Sequence, residues 1–385
     1  MDQEKNKILF DLLRSAISGV PLDTECDALS LDMLQEVIQA SAKHDIDHLV
    51  ALAIKQNSPP PSLVSSLERV LFRAVYRYRQ IKHDYDSLCA ALERAQICFI
   101  PLKGSVLRSY YPEPWMRTSC DIDVLVRKND LDKAVSYLVD NLGYKYEHTF
   151  THDVSMFTNN GIHIELHYNL MEDEPIKSSR LVLDDPWASA KKHSGYDYWY
   201  ELSDEVFYFY HIAHMAKHFE NGGCGIRPFI DLNILNRMVN FDVKERRAVL
   251  EKGGLSLFAD QACLLSEIWF NGAEHNDVTR DMEQFILHGG VYGIIENQIA
   301  VQQQKQGGKF KYAISKIWLP YDTIKFYYPV LGRYKIFTPI MQLKRWCRLI
   351  FCGHLKRSAR KLSYSSQISK EKIYKTSRLM QSIGL

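Results

Sequence analysis

Residues 97–126 read ICFIPLKGSVLRSYYPEPWMRTSCDIDVLV, two short apolar runs joined by a polar loop that contains two prolines. The first run ends at Lys103-Gly104-Ser105, a pattern typical of a buried strand that turns into a helix. The second run, Ile122–Val126, predicts another strand that begins beside Asp121 and carries Asp123. The stretch therefore predicts two strands of a small sheet, one of which ends at a glycine turn.

The sequence directly downstream predicts one helix and three more strands. Asn129 is expected to cap a helix that runs to Leu142, where Gly143 ends it. Strand character follows in residues 144–150, 154–158 and 162–168. Residues 96–185 are therefore predicted to form a mixed α/β core.

Helical periodicity dominates both flanks of this core. Apolar residues recur at spacings of three and four between Leu63 and Leu92, and shorter stretches repeat the pattern on both sides of the core. We predict an α+β fold, a small mixed-sheet core flanked by N-terminal and C-terminal helical regions. The predicted domains are residues 1–95, helical; 96–185, the core; 186–300, helical; and 301–385, basic and helical.

Charge and cysteine content narrow the class of protein. A chain of 385 residues with 46% hydrophobic residues can bury a sizeable core, and it lacks the apolar span that a membrane helix needs. Its eight cysteines contain no C-x-x-C pair, which argues against a zinc or disulfide framework and favours the cytoplasm. Residues 301–385 hold 18 Lys and Arg against Asp322 and Glu371, a net charge of about +16.

This basic region predicts contact with an acidic part of the same protein or with an anionic surface, such as the inner face of a membrane. Within it, residues 340–351 have an apolar face interrupted by Lys344, Arg345 and Arg348. An ordinary packed helix is the favoured interpretation of that face, and a helix lying on an anionic membrane is the alternative.

Three acidic residues are the candidate reaction centre. Asp121 and Asp123 are two residues apart on one strand, so both carboxylates face the same side. Paired anions need a cation, and oxygen ligands suit Mg²⁺ or Mn²⁺. Glu165, between Ile164 and Leu166 on a later strand, would complete a two-metal site. Each acid alone could instead face solvent.

The turn at Lys103-Gly104-Ser105 is the candidate phosphate site. Gly104 permits close backbone approach, and free N–H groups at the start of a helix attract anions. Lys103 and the Ser105 hydroxyl could reinforce that attraction, and Arg117 could neutralise charge on a transferring phosphate. A turn without any ligand is the plain alternative for this short motif.

Taken together, this order of elements resembles the DNA polymerase β-like nucleotidyltransferase superfamily, and within it a bacterial family described as uncharacterised nucleotidyltransferases. The resemblance implies the fold, metal-dependent transfer of a nucleotidyl group, and a helical domain at 186–300 that closes the nucleotide cleft. The residues that carry it are Leu102-Lys103-Gly104, Arg117, Asp121 to Val126, Glu165-Leu166-His167, His214, Lys217, His218, Gly225-Ile226-Arg227 and Asp231-Leu232.

Further candidate residues lie on helices of the 186–300 region. His214, Arg227 and Asp231 are predicted to contact the nucleotide, although core packing of the histidine and a structural ion pair between Arg227 and Asp231 are open alternatives. On the strand of Glu165, His163 and His167 share its face. Orientation of Glu165 by hydrogen bonds is favoured for these histidines over direct contact with a ligand.

The predicted reaction moves a nucleoside monophosphate from a nucleoside triphosphate, ATP favoured, to an acceptor hydroxyl with release of pyrophosphate and dependence on Mg²⁺ or Mn²⁺. Asp121, Asp123 and Glu165 would hold the metal ions and act in catalysis. The acceptor is unknown; a small molecule or glycan precursor is favoured over a protein or RNA. A non-catalytic nucleotide-binding or scaffolding protein and a protein-modifying nucleotidyltransferase are the alternatives.

Overall fold

The N-terminal part of the chain folds as helices, as its periodicity predicts. The computed structural model describes residues 2–22, 26–171, 177–291, 293–351 and 368–385. The first helices are α1 Asp2–Ser18, α2 Leu31–Lys43, α3 Asp47–Gln56 and α4 Val64–Arg94. The Ser30 hydroxyl caps α2 by accepting a hydrogen bond from the Met33 N–H. The long helix α4 starts after the run of prolines at 59–61.

A five-stranded sheet follows, with the strand order β1-β2-β5-β4-β3. Its elements, in chain order, are β1 Phe99–Pro101, α5 Gly104–Leu107, β2 Asp121–Val126, α6 Leu131–Leu142, β3 Lys145–Thr149, β4 Asp153–Phe157 and β5 His163–His167. The pairing of β2 with β5 is parallel and the other pairings in this sheet are antiparallel. The mixed sheet and its helical flanks confirm the predicted α+β fold.

Helix α6 shows where local prediction succeeds and where it fails. Gly143, at φ +66°, ends the helix in the left-handed conformation that glycine adopts without strain. The predicted cap at Asn129 is wrong, because a 3₁₀ turn at Lys128–Asp130 precedes the helix. Asp130 stands at the N-cap position and makes no side-chain capping bond.

After the sheet the chain is mainly helical. The elements are α7 Arg180–Leu183, the short hairpin β6 Lys191–Lys192 and β7 Tyr200–Glu201, α8 Asp204–Glu220, α9 Arg227–Met238, α10 Val243–Lys252, α11 Ser256–Asn271, α12 Asp277–Leu287, α13 Ile295–Lys305, α14 Lys309–Ile317, α15 Tyr321–Tyr327, α16 Thr338–Phe351 and a C-terminal helix Lys370–Ser382. Within the described ranges, no helix combines the length and the apolar character needed to cross a bilayer.

Two large hydrophobic cores hold these elements. One lies between the sheet and helices α4 and α6, and the other joins the N-terminal helices to α8, α9, α11 and α12. Helix α4 contributes to both, with Leu67 in the helical core and Leu88 and Leu92 in the core of the sheet. Through α4, the sheet is therefore held in a fixed position relative to the helices that pack next to the face carrying Asp121 and Asp123.

Candidate active site

The parallel pairing of β2 with β5 brings the predicted acids together. Asp123 is the register partner of Glu165, and Asp121 is the register partner of His163. Since alternate residues of a strand share a face, the side chains of Asp121, Asp123 and Glu165 lie on one side of the sheet. All three line a cleft of about 280 Å³ between the sheet and the helices.

Asp123 and Glu165 of the cleft, with the buried His167 beside them, form a group of side chains that could hold a metal ion. One ligand atom from each lies within 4.8 Å of the others. The His167 Nε2 is 3.0 Å from Asp123 Oδ1 and 3.4 Å from Glu165 Oε2. The hydrogen bonding predicted for His167 is thus present, and it reaches Asp123 as well as Glu165. Asp121 lines the cleft but is not a member of this group.

Lys103 places a positive charge against the same carboxylates. Its Nζ is 2.7 Å from Asp123 Oδ1 and 3.6 Å from Glu165 Oε2. The residue adopts φ +45°, a conformation that costs a non-glycine residue about 1 to 3 kcal/mol. The neighbouring charge of Asp123 outweighs burial and raises the pKa of Lys103 well above its usual value. Lys103 therefore contacts the acids directly, in addition to bordering the predicted phosphate site.

The pKa shifts of Glu165, His167 and Asp121 reflect the charges and hydrogen bonds that these side chains share. Burial alone would raise the pKa of Glu165, but the His167 hydrogen bond and the charge of Lys103 hold that pKa far below its usual value. Burial opposes protonation of His167, yet its hydrogen bonds to Asp123 and Glu165 raise its pKa. Burial and the charge of Asp123 raise the pKa of Asp121. A buried and a partly buried strand carboxylate that attract Lys103 and accept hydrogen bonds from His167 form a donor set that fits a divalent metal ion.

The turn after β1 lies beside the acids. The N–H groups of Ser105, Val106 and Leu107 donate to the carbonyl oxygens of Leu102 and Lys103, whereas the Gly104 N–H makes none of these bonds. The free helix-start amides expected here are therefore partly occupied. A Cβ added at Gly104 would lie 3.3 Å from Ser119 Cβ and 3.6 Å from an Arg117 nitrogen, so glycine leaves room for the opposite wall.

Ser105 is not among the residues that line the cleft, and Ser119 is. Arg108 holds this wall by donating to the Gly104 carbonyl at 2.8 Å and to the Ser119 hydroxyl at 2.8 Å. Arg108 begins a 3₁₀ turn after α5, and Ser119 lies in the loop before β2; the sequence shows no periodic pattern that singles out either residue. Their contribution is visible only once the loop folds back on the turn.

Arg117 is anchored by an acid from helix α9. Its Nε donates to Asp231 Oδ1 at 2.7 Å, and the Tyr111 hydroxyl donates to the same oxygen at 2.6 Å. Asp231 is fully buried, and the charge of Arg117 outweighs burial to lower its pKa. Asp231 Oδ2 is buried without a hydrogen-bond partner in the part of the chain that the structure describes. Arg117 and Asp231 both line the cleft.

Arg227 pairs with Asp45, and not with Asp231 as the structural alternative for these two residues predicted. Its guanidinium donates to Asp45, which follows α2, and to the Thr118 hydroxyl at 3.4 Å. The structural pair between Arg227 and Asp231 is therefore not formed, because Asp231 is bound to Arg117. Arg227 lines the cleft from the first turn of α9.

Helix α8 supplies the cleft wall that faces the sheet. His211, His214, Lys217 and His218 all line the cleft. Burial lowers the pKa of His214 well below its usual value and that of His218 to about 4, so both rings are neutral at physiological pH. Burial, with the charge of Lys103, lowers the pKa of Lys217 to about 8. The wall thus offers neutral rings and one ammonium whose charge changes near neutral pH.

A mixed sheet with acids on adjacent parallel strands, beside a Lys-Gly turn, is the arrangement that the resemblance to nucleotidyltransferases implies. A family model described as "Uncharacterised nucleotidyltransferase" matches residues 32–271, and the chain belongs to that family. No match was found among curated proteins or among solved structures. The match spans the acidic strands, the turn and the cleft wall of α8 and α9.

Proposed function

We propose that this protein is a metal-dependent nucleotidyltransferase that transfers a nucleoside monophosphate from ATP, or another nucleoside triphosphate, to an acceptor hydroxyl. The observation that carries the proposal is the register of β2 with β5, which sets Asp123 opposite Glu165 beside the Lys103–Gly104 turn. Membership of a nucleotidyltransferase family supports it. Asp121, Asp123 and Glu165 would hold Mg²⁺ or Mn²⁺.

A bound divalent cation would neutralise phosphate charge and make the acceptor hydroxyl more acidic. The chain's own residues would position the reactants. Lys103, Arg117, Lys217 and Arg227 bring positive charge to the cleft for the triphosphate, with the Gly104 N–H as a backbone donor. Asp231 Oδ2 has acceptor capacity for a sugar hydroxyl, and His214 presents a neutral ring.

In the proposed reaction the acceptor oxygen bonds to the α-phosphorus while the bond from that phosphorus to the leaving pyrophosphate breaks. The hydroxyl proton passes to a carboxylate or to solvent. The low pKa of Glu165 keeps it ionised, which favours a role in holding positive charge over proton removal. Positioning and charge neutralisation would thus supply most of the rate acceleration.

One observation favours a second candidate, a non-catalytic nucleotide-binding protein. Lys103 and His167 already contact the carboxylates of Asp123 and Glu165, so both acids have partners without a metal ion. The two candidates differ in whether Mg²⁺ changes the outcome after a nucleotide binds. A protein-modifying nucleotidyltransferase would use the same site with a polypeptide hydroxyl as the acceptor.

To test the proposal, the protein is incubated with each of the four α-labelled ribonucleoside triphosphates, in MgCl₂ or in EDTA. Sugar phosphates, protein extract and RNA are supplied in turn as acceptors. We expect Mg²⁺-dependent release of pyrophosphate with one triphosphate and transfer of its label to a small molecule. Label recovered on protein would select the protein-modifying alternative. Calorimetric binding of a triphosphate without pyrophosphate release on any acceptor would select the non-catalytic one.

Nucleotide affinity should depend on pH through Lys217. Its pKa of about 8 means that it is a cation below pH 8 and neutral above it, whereas the triphosphate stays ionised over that range. We expect the affinity for a triphosphate, measured by calorimetry in EDTA, to fall roughly tenfold from pH 7 to pH 9, the value of one charge-assisted hydrogen bond. Lys217→Arg should remove most of this dependence, and an unchanged pH profile would place Lys217 outside the phosphate contacts.

We also propose the cytoplasm as the compartment of this reaction. The seven cysteines within the described ranges are free thiols, as expected in a reducing environment. Nucleoside triphosphates are available there as donors.

We also propose domain boundaries at residues 95, 185 and 300. Helices from the first and the third of these segments share one hydrophobic core.

A further inference from the structure

Exposed apolar side chains are concentrated in one short part of the chain. Of the 24 large hydrophobic side chains that the described residues leave exposed, ten lie between Phe310 and Leu343. Scattered apolar residues are normal on protein surfaces, but a concentration of this kind marks an interaction site.

Helix α14 carries the first part of this surface. Its exposed residues Phe310, Ile314 and Ile317 recur at spacings of four and three and therefore form one stripe. Trp318 extends the stripe beyond the end of the helix. Tyr312, on the opposite side of the helix, is buried in a small core with α13 and the C-terminal region. The inward face of α14 is thus occupied, and the outward face is apolar.

The second part lies at the start of α16. Ile336 and Phe337, in a 3₁₀ turn at Lys335–Phe337 that precedes the helix, and Ile340 and Leu343, within the helix, are all exposed. The favoured interpretation of an ordinary packed helix is therefore wrong for Ile340 and Leu343. Polar contacts hold the inward side of α16, since Gln342 donates to the Leu319 carbonyl and Arg345 donates to the carbonyls of Lys316 and Ile317.

These inward contacts place α16 against the end of α14, so the segments that carry the two apolar stripes are next to each other. Basic side chains occur along the same stretch of the chain, residues 311–348. The exposed ones are Lys311, Lys325, Arg333, Lys335, Lys344 and Arg348. Between residues 310 and 348 the sequence contains one acidic residue, Asp322. The basic residues Lys356, Arg357, Arg360 and Lys361 of the predicted region lie outside the described residues.

We propose that this surface, formed by residues 310–318 and 336–348, docks the protein on an anionic lipid bilayer. Aromatic and aliphatic side chains next to lysines match both parts of such a bilayer, its acyl boundary and its negatively charged headgroups. Long basic side chains can reach headgroups while their stems lie on apolar surface. A nucleic acid would not require the aliphatic residues Ile314, Ile336, Ile340 and Leu343, and a protein interface core is usually depleted of lysine.

The test is co-sedimentation of the full chain with phosphatidylcholine vesicles that contain or lack phosphatidylglycerol. We expect binding to the anionic vesicles, weaker binding at high salt, and little binding to phosphatidylcholine alone. The double variant Phe310→Glu and Ile336→Glu should lose roughly tenfold or more in vesicle affinity, since each change removes an inserted apolar group and adds a repelled charge. Lys311→Glu with Lys344→Glu should weaken binding to anionic vesicles alone.

A matched control uses equally exposed apolar residues elsewhere. Phe310 and Ile336 are 77% and 82% exposed, and Phe72 and Val243 are 72% and 68% exposed on α4 and α10. Phe72→Glu with Val243→Glu should therefore leave vesicle binding unchanged. Absence of sedimentation with anionic vesicles, equal binding to neutral vesicles, or equal loss in the control overturns the proposal. A dimer in size-exclusion chromatography that only Phe310→Glu with Ile336→Glu dissociates, without vesicle binding, also overturns it in favour of a protein contact.

Discussion

Asp123→Asn is expected to reduce Mg²⁺-dependent pyrophosphate release by roughly 10²- to 10³-fold, the scale seen when one preorganised electrostatic contact to a transition state is removed. Asp123 is 3% exposed and its Oδ1 receives both Lys103 and His167. An amide in its place is uncharged and a poor ligand for Mg²⁺. Steady-state pyrophosphate release with the best triphosphate, at saturating Mg²⁺, is the measurement.

Loss of activity must be separated from loss of folding, and Asp84 provides the matched control. It is 4% exposed, lies on α4, and accepts hydrogen bonds from the Thr158 hydroxyl and the Asn160 amide, away from the cleft. Asp84→Asn should lower the midpoint of thermal unfolding while leaving turnover nearly intact. The reaction mechanism would be excluded if Asp123→Asn kept turnover within a few-fold of the unaltered protein.

Asp231→Ala is expected to have the largest effect on stability, with a loss of about 3 to 5 kcal/mol in the free energy of unfolding. The change removes the partner of the buried Arg117 guanidinium and of the Tyr111 hydroxyl at once. An uncompensated buried cation then remains in the folded state. Urea unfolding followed by circular dichroism at neutral pH measures the loss.

The stabilisation of the folded state by ionised Asp231 should be lost in acid. Because the folded-state pKa of Asp231 is lowered, its stabilising effect is fully present above the unfolded pKa of roughly 3.9 and is lost as pH falls through the folded value. The difference between the two proteins should thus stay constant from pH 7 to about pH 5 and shrink only below that.

Asp45→Ala is the control for this ion pair. Asp45 also pairs with an arginine of the cleft, Arg227, but its side chain is 44% exposed, so solvent screens the interaction. Its removal should cost less than about 1 kcal/mol. Equal losses for Asp231→Ala and Asp45→Ala would show that burial of the Arg117 pair adds nothing to its strength.

The proposed membrane surface and the cleft are formed by different parts of the chain. The surface is built from residues 310–318 and 336–348, all of which lie beyond the stretch that matches the nucleotidyltransferase family. Vesicle binding and pyrophosphate release can therefore be measured independently, and variants of one should leave the other unchanged. Vesicle binding without pyrophosphate release would support the docking proposal and contradict the enzymatic one.

Periodicity and turn chemistry predicted a core of strands and helices between helical flanks, and the family resemblance implied the fold itself. The alternation around Asp121 and Asp123 placed both acids on one face, and Gly143 marked the end of α6. These are local properties, since side-chain direction along a strand and the conformation of a glycine depend on a few neighbouring residues. The cap at Asn129 was predicted by the same local reasoning and was wrong, because a 3₁₀ turn competed for that position.

Only the tertiary structure decided which groups meet. The pairing of Asp123 with Glu165 depends on β2 and β5 becoming neighbours, although β3, β4 and α6 lie between them in the chain. The bond from Arg117 to Asp231 spans 114 positions, and the insertion of Lys103 between two acids depends on a left-handed backbone at that residue. Hydrophobic patterns specify which face of an element is buried, but strand order and partner choice follow from the packing of all elements together.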